Sequence, residues 1–175
     1  MELTEFLQTT PTLAELSPRE LAVLEKSLRV DRYPAEHTLI REGEKGQTFY
    51  ILMEGEVQVS RLRPSGHGIE ALETLGPGDV FGLMTLIDFQ PRASSCRTLT
   101  PVTVASLPFS AFFLLNTSHQ ALAEHFQYIL ARQLVRDLRR VNEGLRAALS
   151  SGDFAPLYES ARRVTGKLPA NKSSS

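Results

Sequence analysis

The chain has 175 residues, 42% of them hydrophobic, with 19 Lys and Arg, 20 Asp and Glu and a formal net charge of −1. That balance supports one globular domain with a real core and gives no general attraction to nucleic acid or to an anionic membrane. A lone cysteine, Cys96, excludes an internal disulfide and cysteine-rich zinc spacing, no apolar run reaches membrane-spanning length, and MELTEFLQTT is no secretory signal, so the cytosol is the expected compartment.

The first punctuated element is a helix start. Ser17 stands at a capping position, Pro18 at the first helical residue, and Glu20 completes a capping box. Leu21, Leu24 and Leu28 share one face of the helix that follows, and the pattern fades over residues 29–33. From Thr38 the period shortens. Residues 49–53 (FYILM) and 56–60 (EVQVS) flank Gly55 and predict a hairpin with that glycine at its turn. Residues 63–68 (RPSGHG) are loop chemistry, residues 69–75 alternate again, and Gly76, Pro77, Gly78 and Asp79 predict a further turn.

Residues 81–95, FGLMTLIDFQPRASS, carry the most chemistry. After Phe81-Gly82 comes a short apolar helical turn, whose first backbone N–H groups suit an anion. Pro91-Arg92-Ala93 follows, and an arginine held by a preceding proline is a fixed, planar donor to phosphate oxygens. Together they describe a small phosphate cradle. Residues 98–107 (TLTPVTVASL) are rich in β-branched side chains, and short strands separated by glycine turns indicate a sandwich or barrel.

Beyond Pro108 the period is helical. Residues 109–115 predict a short helix and residues 119–149 a long one. Leu130, Leu134, Leu138, Val141 and Leu145 form a narrow stripe on the long helix, which predicts pairing with a second copy. Residues 150–175 read as a polar tail with one short helix near residues 157–164 and a disordered end.

These residues resemble the cyclic nucleotide-binding domain family of catabolite activator proteins, protein kinase A regulatory subunits and gated channels. The resemblance rests on residues 40–59, IREGEKGQTFYILMEGEVQV, with Gly43, Gly46 and Gly55 at turn positions, and on Phe81-Gly82 with Pro91-Arg92-Ala93. It implies a mainly β fold with flanking helices: N-terminal helices, an eight-stranded jelly-roll barrel with an internal phosphate-binding cassette, and a long C-terminal helix. The implied segments are 1–33 helical, 34–108 jelly roll, 109–149 the two following helices and 150–175 the tail.

By the same resemblance Arg92 pairs with a cyclic phosphate, and backbone N–H groups of Gly82, Thr85 and Ala93 complete its shell. Phe81 and Ser94 support the cassette. Two positions depart from the family: Gln47 replaces aspartate, and Leu83 replaces the glutamate that accepts the ribose 2′-hydroxyl. An unpaired hydroxyl opposite Leu83 costs roughly 1–3 kcal/mol, about a five- to 150-fold loss of affinity. Leu83 therefore leaves two readings open, weakened binding and a vestigial pocket. Cyclic AMP is favoured over cyclic GMP because guanine-selective relatives often carry threonine where Ala93 stands.

Each of these residues also has a plainer role. Arg92 has Asp88 four residues earlier as an alternative ion-pair partner. Arginines of the long helix read as a solvated face rather than a nucleic-acid surface. His67 and Cys96 make no metal or haem ligand set, and no catalytic constellation stands out. Too few residues follow the long helix for a winged helix-turn-helix. The expectation is a stand-alone regulatory module without enzymatic activity, resident cofactor or metal. It binds cyclic AMP weakly, or a related small anion, and signals through its long helix as a homodimer with an unidentified protein partner. The alternative is a ligand-free interaction and dimerisation scaffold.

Overall fold

A computed structural model describes residues 3–63 and 68–151. The chain opens with α1 (Leu3–Thr9), a 3₁₀ turn (Pro11–Leu13) and α2 (Pro18–Glu25). Eight strands follow among the described residues: β1 (Arg29–Tyr33), β2 (Thr38–Ile40), β3 (Thr48–Glu54), β4 (Val57–Leu62), β5 (Ile69–Leu75), β6 (Val80–Phe81), β7 (Ser95–Thr98) and β8 (Val102–Pro108). The short helix α3 (Met84–Asp88) lies between β6 and β7, and α4 (Phe109–Ser118) and α5 (Gln120–Ser151) close the described chain.

The strands make two four-stranded antiparallel sheets, ordered β1-β8-β3-β6 and β2-β7-β4-β5. This is the mainly β jelly roll with flanking helices that the family pattern implies. Side-chain alternation sorts the core into two layers. On β3, Phe49, Ile51 and Met53 join an outer cluster with α1, α2, α4 and α5, while Leu52 and Tyr50 join an inner cluster between the sheets. A strand buried on both faces reads as an unbroken apolar run, which is why FYILM shows no alternation.

Two expectations change. Residues 49–53 and 56–60 are strands but not a hairpin, because β3 has β8 on one edge and β6 on the other. Gly55 turns the chain from one sheet to the next. Its φ is +85°, and a Cβ there would sit 2.4 Å from the Pro101 carbonyl oxygen, so a side chain has no room. Residues 29–33 are β1, paired with β8 in register Asp31↔Val104, so the barrel begins before the 34 boundary. Four of its five residues are exposed, which leaves no hydrophobic alternation to read. Residues 98–107 hold the end of β7 and most of β8, and these strands belong to different sheets.

The capping box forms as expected. Ser17 Oγ accepts from the Glu20 N–H at 3.3 Å, and the Glu20 carboxylate accepts from the Ser17 N–H at 2.8 Å. The same carboxylate accepts from His125 Nδ1 of α5 at 2.7 Å, and Arg132 of α5 pairs with Glu15. With Phe126 packed edge-to-face on Phe49 at 6.1 Å, α5 is held against the N-terminal helices and the outer face of the first sheet.

The Ser17 hydroxyl, and after it His125, push the Glu20 pKa from 4.5 down to about 2, against a smaller opposing effect of burial. A lowered carboxylate stabilises the fold fully above its unfolded pKa and loses that contribution as pH falls through the folded one. Glu20→Gln is therefore expected to be less stable than the parent at neutral pH. The gap should close between about pH 4.5 and about pH 2 in urea melts. A gap independent of pH would contradict this.

The long helix presents two faces. Leu130 is 2% exposed and lies in the outer cluster, and Leu134 packs against that cluster. These residues seat the helix on its own domain and do not form the upper part of a dimer seam. Tyr128, Val135, Leu138 and Leu149 are exposed. Of the tail expected over residues 150–175, Ser150 and Ser151 belong to α5, and residues 152–175, with the expected short helix and disordered end, lie outside the described residues, as does His67.

Candidate functional site

The cassette begins where β6 ends. Gly82 takes φ +74°, and a Cβ there would fall 2.8 Å from the Thr48 carbonyl oxygen and 2.9 Å from Arg92 Nη1. A Cβ on Gly46 would lie 2.5 Å from Arg92 Nε. Two glycines thus wall the guanidinium, one by its backbone angle as well and one by close approach alone. The backbone of Arg92 is fixed too: its N–H donates to the Glu44 carbonyl at 2.9 Å, and its own carbonyl accepts from the Gly43 N–H at 2.8 Å.

The side chain of Arg92 is buried, with 6% of the residue exposed. Nη1 donates to the Gly82 carbonyl at 2.9 Å and to Thr85 Oγ1 at 2.6 Å, and Nη2 donates to the Thr48 carbonyl at 2.8 Å. Every one of these acceptors is neutral. Among the described residues no carboxylate pairs with Arg92, and Asp88 instead accepts from the Gln90 N–H at 3.0 Å. Burial lowers the pKa of the guanidinium, and the nearby Tyr50 and Cys96 act in the opposite sense. A buried cation held only by dipoles carries a desolvation cost that an anion would offset.

The other sequence-predicted residues gather around this point to different degrees. Thr85 is buried against Arg92. Ala93 follows directly, half-buried, and its N–H meets no acceptor among the described residues. Ser94 is also half-buried, and the neighbouring Ser95 accepts from the Glu42 N–H at 2.9 Å. Phe81 stacks on Tyr50 at 5.1 Å in the inner cluster. Leu83 is 8% exposed and packs in the outer cluster with Phe49 and Phe126. An apolar residue suits that environment.

Some contributors were not legible as site residues. Thr48 acts through its carbonyl, so its side-chain identity carried no signal. Gln47 matters in the same way: its carbonyl accepts from the Phe109 N–H at 2.7 Å, the first residue of α4. Consecutive carbonyls of one strand thus hold the guanidinium and the start of the helical segment. Burial pushes the Cys96 thiol up to about 12, so that residue acts as an apolar wall rather than a nucleophile or ligand.

Comparison with known proteins gives a consistent picture. The cyclic nucleotide-binding domain family matches residues 30–117. A CRP-like cAMP-activated global transcriptional regulator of Mycobacterium tuberculosis is 33% identical over 141 residues, 81% of this chain and 61% of that protein. A cAMP-dependent protein kinase regulatory subunit of Colletotrichum orbiculare is 37% identical over 108 residues, 62% of this chain and 27% of that protein. This chain therefore spans less than two thirds of either relative. The N-terminal domain of a transcriptional regulator from Streptomyces coelicolor superposes with a TM-score of 0.67 at 27% identity, covering 75% of this chain and 93% of that one.

Proposed function

Because the chain belongs to the cyclic nucleotide-binding domain family, we propose that it is a regulatory binding module for a cyclic mononucleotide, cyclic AMP first among them. The observation that carries this reading is Arg92, a buried guanidinium surrounded by neutral acceptors. The cyclic phosphate takes its place beside Arg92, with the N–H groups of Gly82, Thr85 and Ala93 as further donors. Leu83 supplies no acceptor to the ribose, so affinity is lower than in a site with a carboxylate there. The module binds and does not turn substrate over, and it acts in the cytosol.

The signal travels through the strand that both partners share. A phosphate competes with the Thr48 carbonyl for Nη2, and the adjacent Phe49 carries Phe126 of α5 while Gln47 holds the start of α4. Ligand binding thereby shifts the equilibrium position of α4 and α5. Calorimetric titration with cyclic AMP tests the reading. Saturable heat with one site per chain is expected. Silence at millimolar ligand would leave the domain as a scaffold.

The outer stripe of α5 favours self-association as part of the same role. Tyr128, Val135, Asn142 and Leu149 recur every seventh residue, Leu138 falls three after Val135, and all five are exposed. That is coiled-coil spacing, with a polar residue at one seam position to set the register. Sedimentation equilibrium is expected to give a dimer that Leu138→Glu converts to monomer with an unchanged circular dichroism spectrum. A parent protein that is monomeric at high micromolar concentration would remove this part.

A further inference from the structure

From Thr48 to Leu52 the strand β3 pairs with β8 in unbroken register, Thr48↔Pro108 to Leu52↔Val104, so its side chains alternate cleanly. Phe49 and Ile51 lie in the outer cluster, and Tyr50 and Leu52 in the inner one. Thr48, two residues before Tyr50, shares the inner face. The Tyr50 ring is held there by a nearly parallel stack on Phe81, with centroids 5.1 Å and planes 14° apart. Phe81 is the strand partner of Tyr50 on β6 and directly precedes Gly82.

Tyr50 is thereby bracketed by the cradle. Thr48 and Gly82 are the two residues whose carbonyls accept from the Arg92 side chain. One lies two residues back along β3, and the other follows the ring on which Tyr50 stacks. The polar neighbours of the Tyr50 hydroxyl are the Thr48 side chain and the Arg92 guanidinium. Burial, and after it Tyr33, raises the phenol above its ordinary pKa, so the group stays a neutral donor across the neutral range. A phenylalanine would stack on Phe81 as well, so packing explains the ring and leaves the hydroxyl to be explained.

Proton counting shows what that hydroxyl offers. Tyr50 and Thr48 bring two O–H groups, and a bond between them uses one, so one is left to donate. Arg92 carries five N–H groups, and Gly82, Thr85 and Thr48 take three. Among the described residues the N–H of Nε and the second N–H of Nη2 meet no acceptor. An oxyanion that takes Nη2 arrives beside Thr48 and within the reach of its hydroxyl neighbour. Resting on the cyclic nucleotide reading above, we propose that the Tyr50 hydroxyl is a ligand-contacting donor that completes the shell of the phosphate on Arg92, with Thr48 orienting it. Being neutral, it strengthens the hold on an anion without adding a second buried charge to the free site. It serves the phosphate and not the sugar, so it does not stand in for the carboxylate missing at Leu83.

The test titrates the parent and Tyr50→Phe with cyclic AMP and with 2′-deoxy cyclic AMP. Phenylalanine keeps the ring on Phe81 and removes only the hydroxyl, so the free variant should melt close to the parent. Affinity for both ligands is expected to fall by the same factor, about ten- to a hundredfold, as a hydrogen bond to a charged oxygen is lost. Tyr50→Leu with the same two ligands serves if Tyr50→Phe folds poorly. Unchanged affinity for cyclic AMP in the variant would overturn the assignment of Tyr50 while leaving the cyclic nucleotide reading intact. A loss confined to cyclic AMP would put the hydroxyl on the ribose and overturn the phosphate contact. Failure of the parent to bind either ligand would overturn that reading and this inference together.

Discussion

Arg92→Ala is expected to lower the affinity for cyclic AMP by about a hundred- to ten-thousandfold, the loss of two charge-assisted hydrogen bonds at about 1.5–3 kcal/mol each. The effect is large because the phosphate has no second cation among the described residues of the cassette. Neutral N–H groups of Gly82, Thr85 and Ala93 remain, so residual binding is expected. The free variant also changes. The carbonyls of Thr48 and Gly82 and the hydroxyl of Thr85 lose a donor, and two glycine-lined gaps open where the guanidinium lay. Thermal melts with and without ligand separate the two consequences. The parent should melt higher when cyclic AMP is added. The variant should show little or no shift whatever its own melting temperature. A variant shift equal to the parent's would mean that the anion sits elsewhere.

The second large effect is structural. Phe126→Ala removes a fully buried ring that packs on Phe49 and Phe112, and it is expected to destabilise the domain by about 3–5 kcal/mol. Against the 5–15 kcal/mol typical of a whole domain, that is a substantial fraction. The position is informative because Phe49 directly follows Thr48, the residue that holds Arg92. A cavity there loosens α5 from the sheet at the point where the cradle is anchored. Chemical denaturation gives the stability loss, and proteolysis should cut α5 sooner in the variant. If Phe126→Ala cost less than about 1 kcal/mol, α5 would not be docked as described.

Local patterns were read directly from the residues. The capping box at Ser17 and Glu20 involves atoms three residues apart, and the turn at Gly76 to Asp79 closes through its own backbone, with Asp79 N–H donating to the Gly76 carbonyl at 3.1 Å. The cassette was legible because its spacing around Gly82 and Arg92 is unusual enough to carry a family resemblance. What failed was anything needing a distant partner. β1 is exposed at four of five positions, so only its pairing with β8, more than 60 residues away, reveals it as a strand. Gly55 looked like a hairpin turn, since the flanking runs do not show that both edges of β3 are taken. Leu130 and Leu134 shared a stripe with Leu138, yet the domain covers the first two and leaves the third 54% exposed.

Composition and periodicity alone determined that this is a β-rich domain with helices before it and a long helix after its last strand. Those properties follow from backbone geometry and side-chain repeat within a few residues. Tertiary structure alone decided that the arginine is buried among neutral acceptors and that Leu83 belongs to the helical layer. Each of these depends on which strands lie side by side, and strand pairing joins positions whose separation along the chain leaves no local mark.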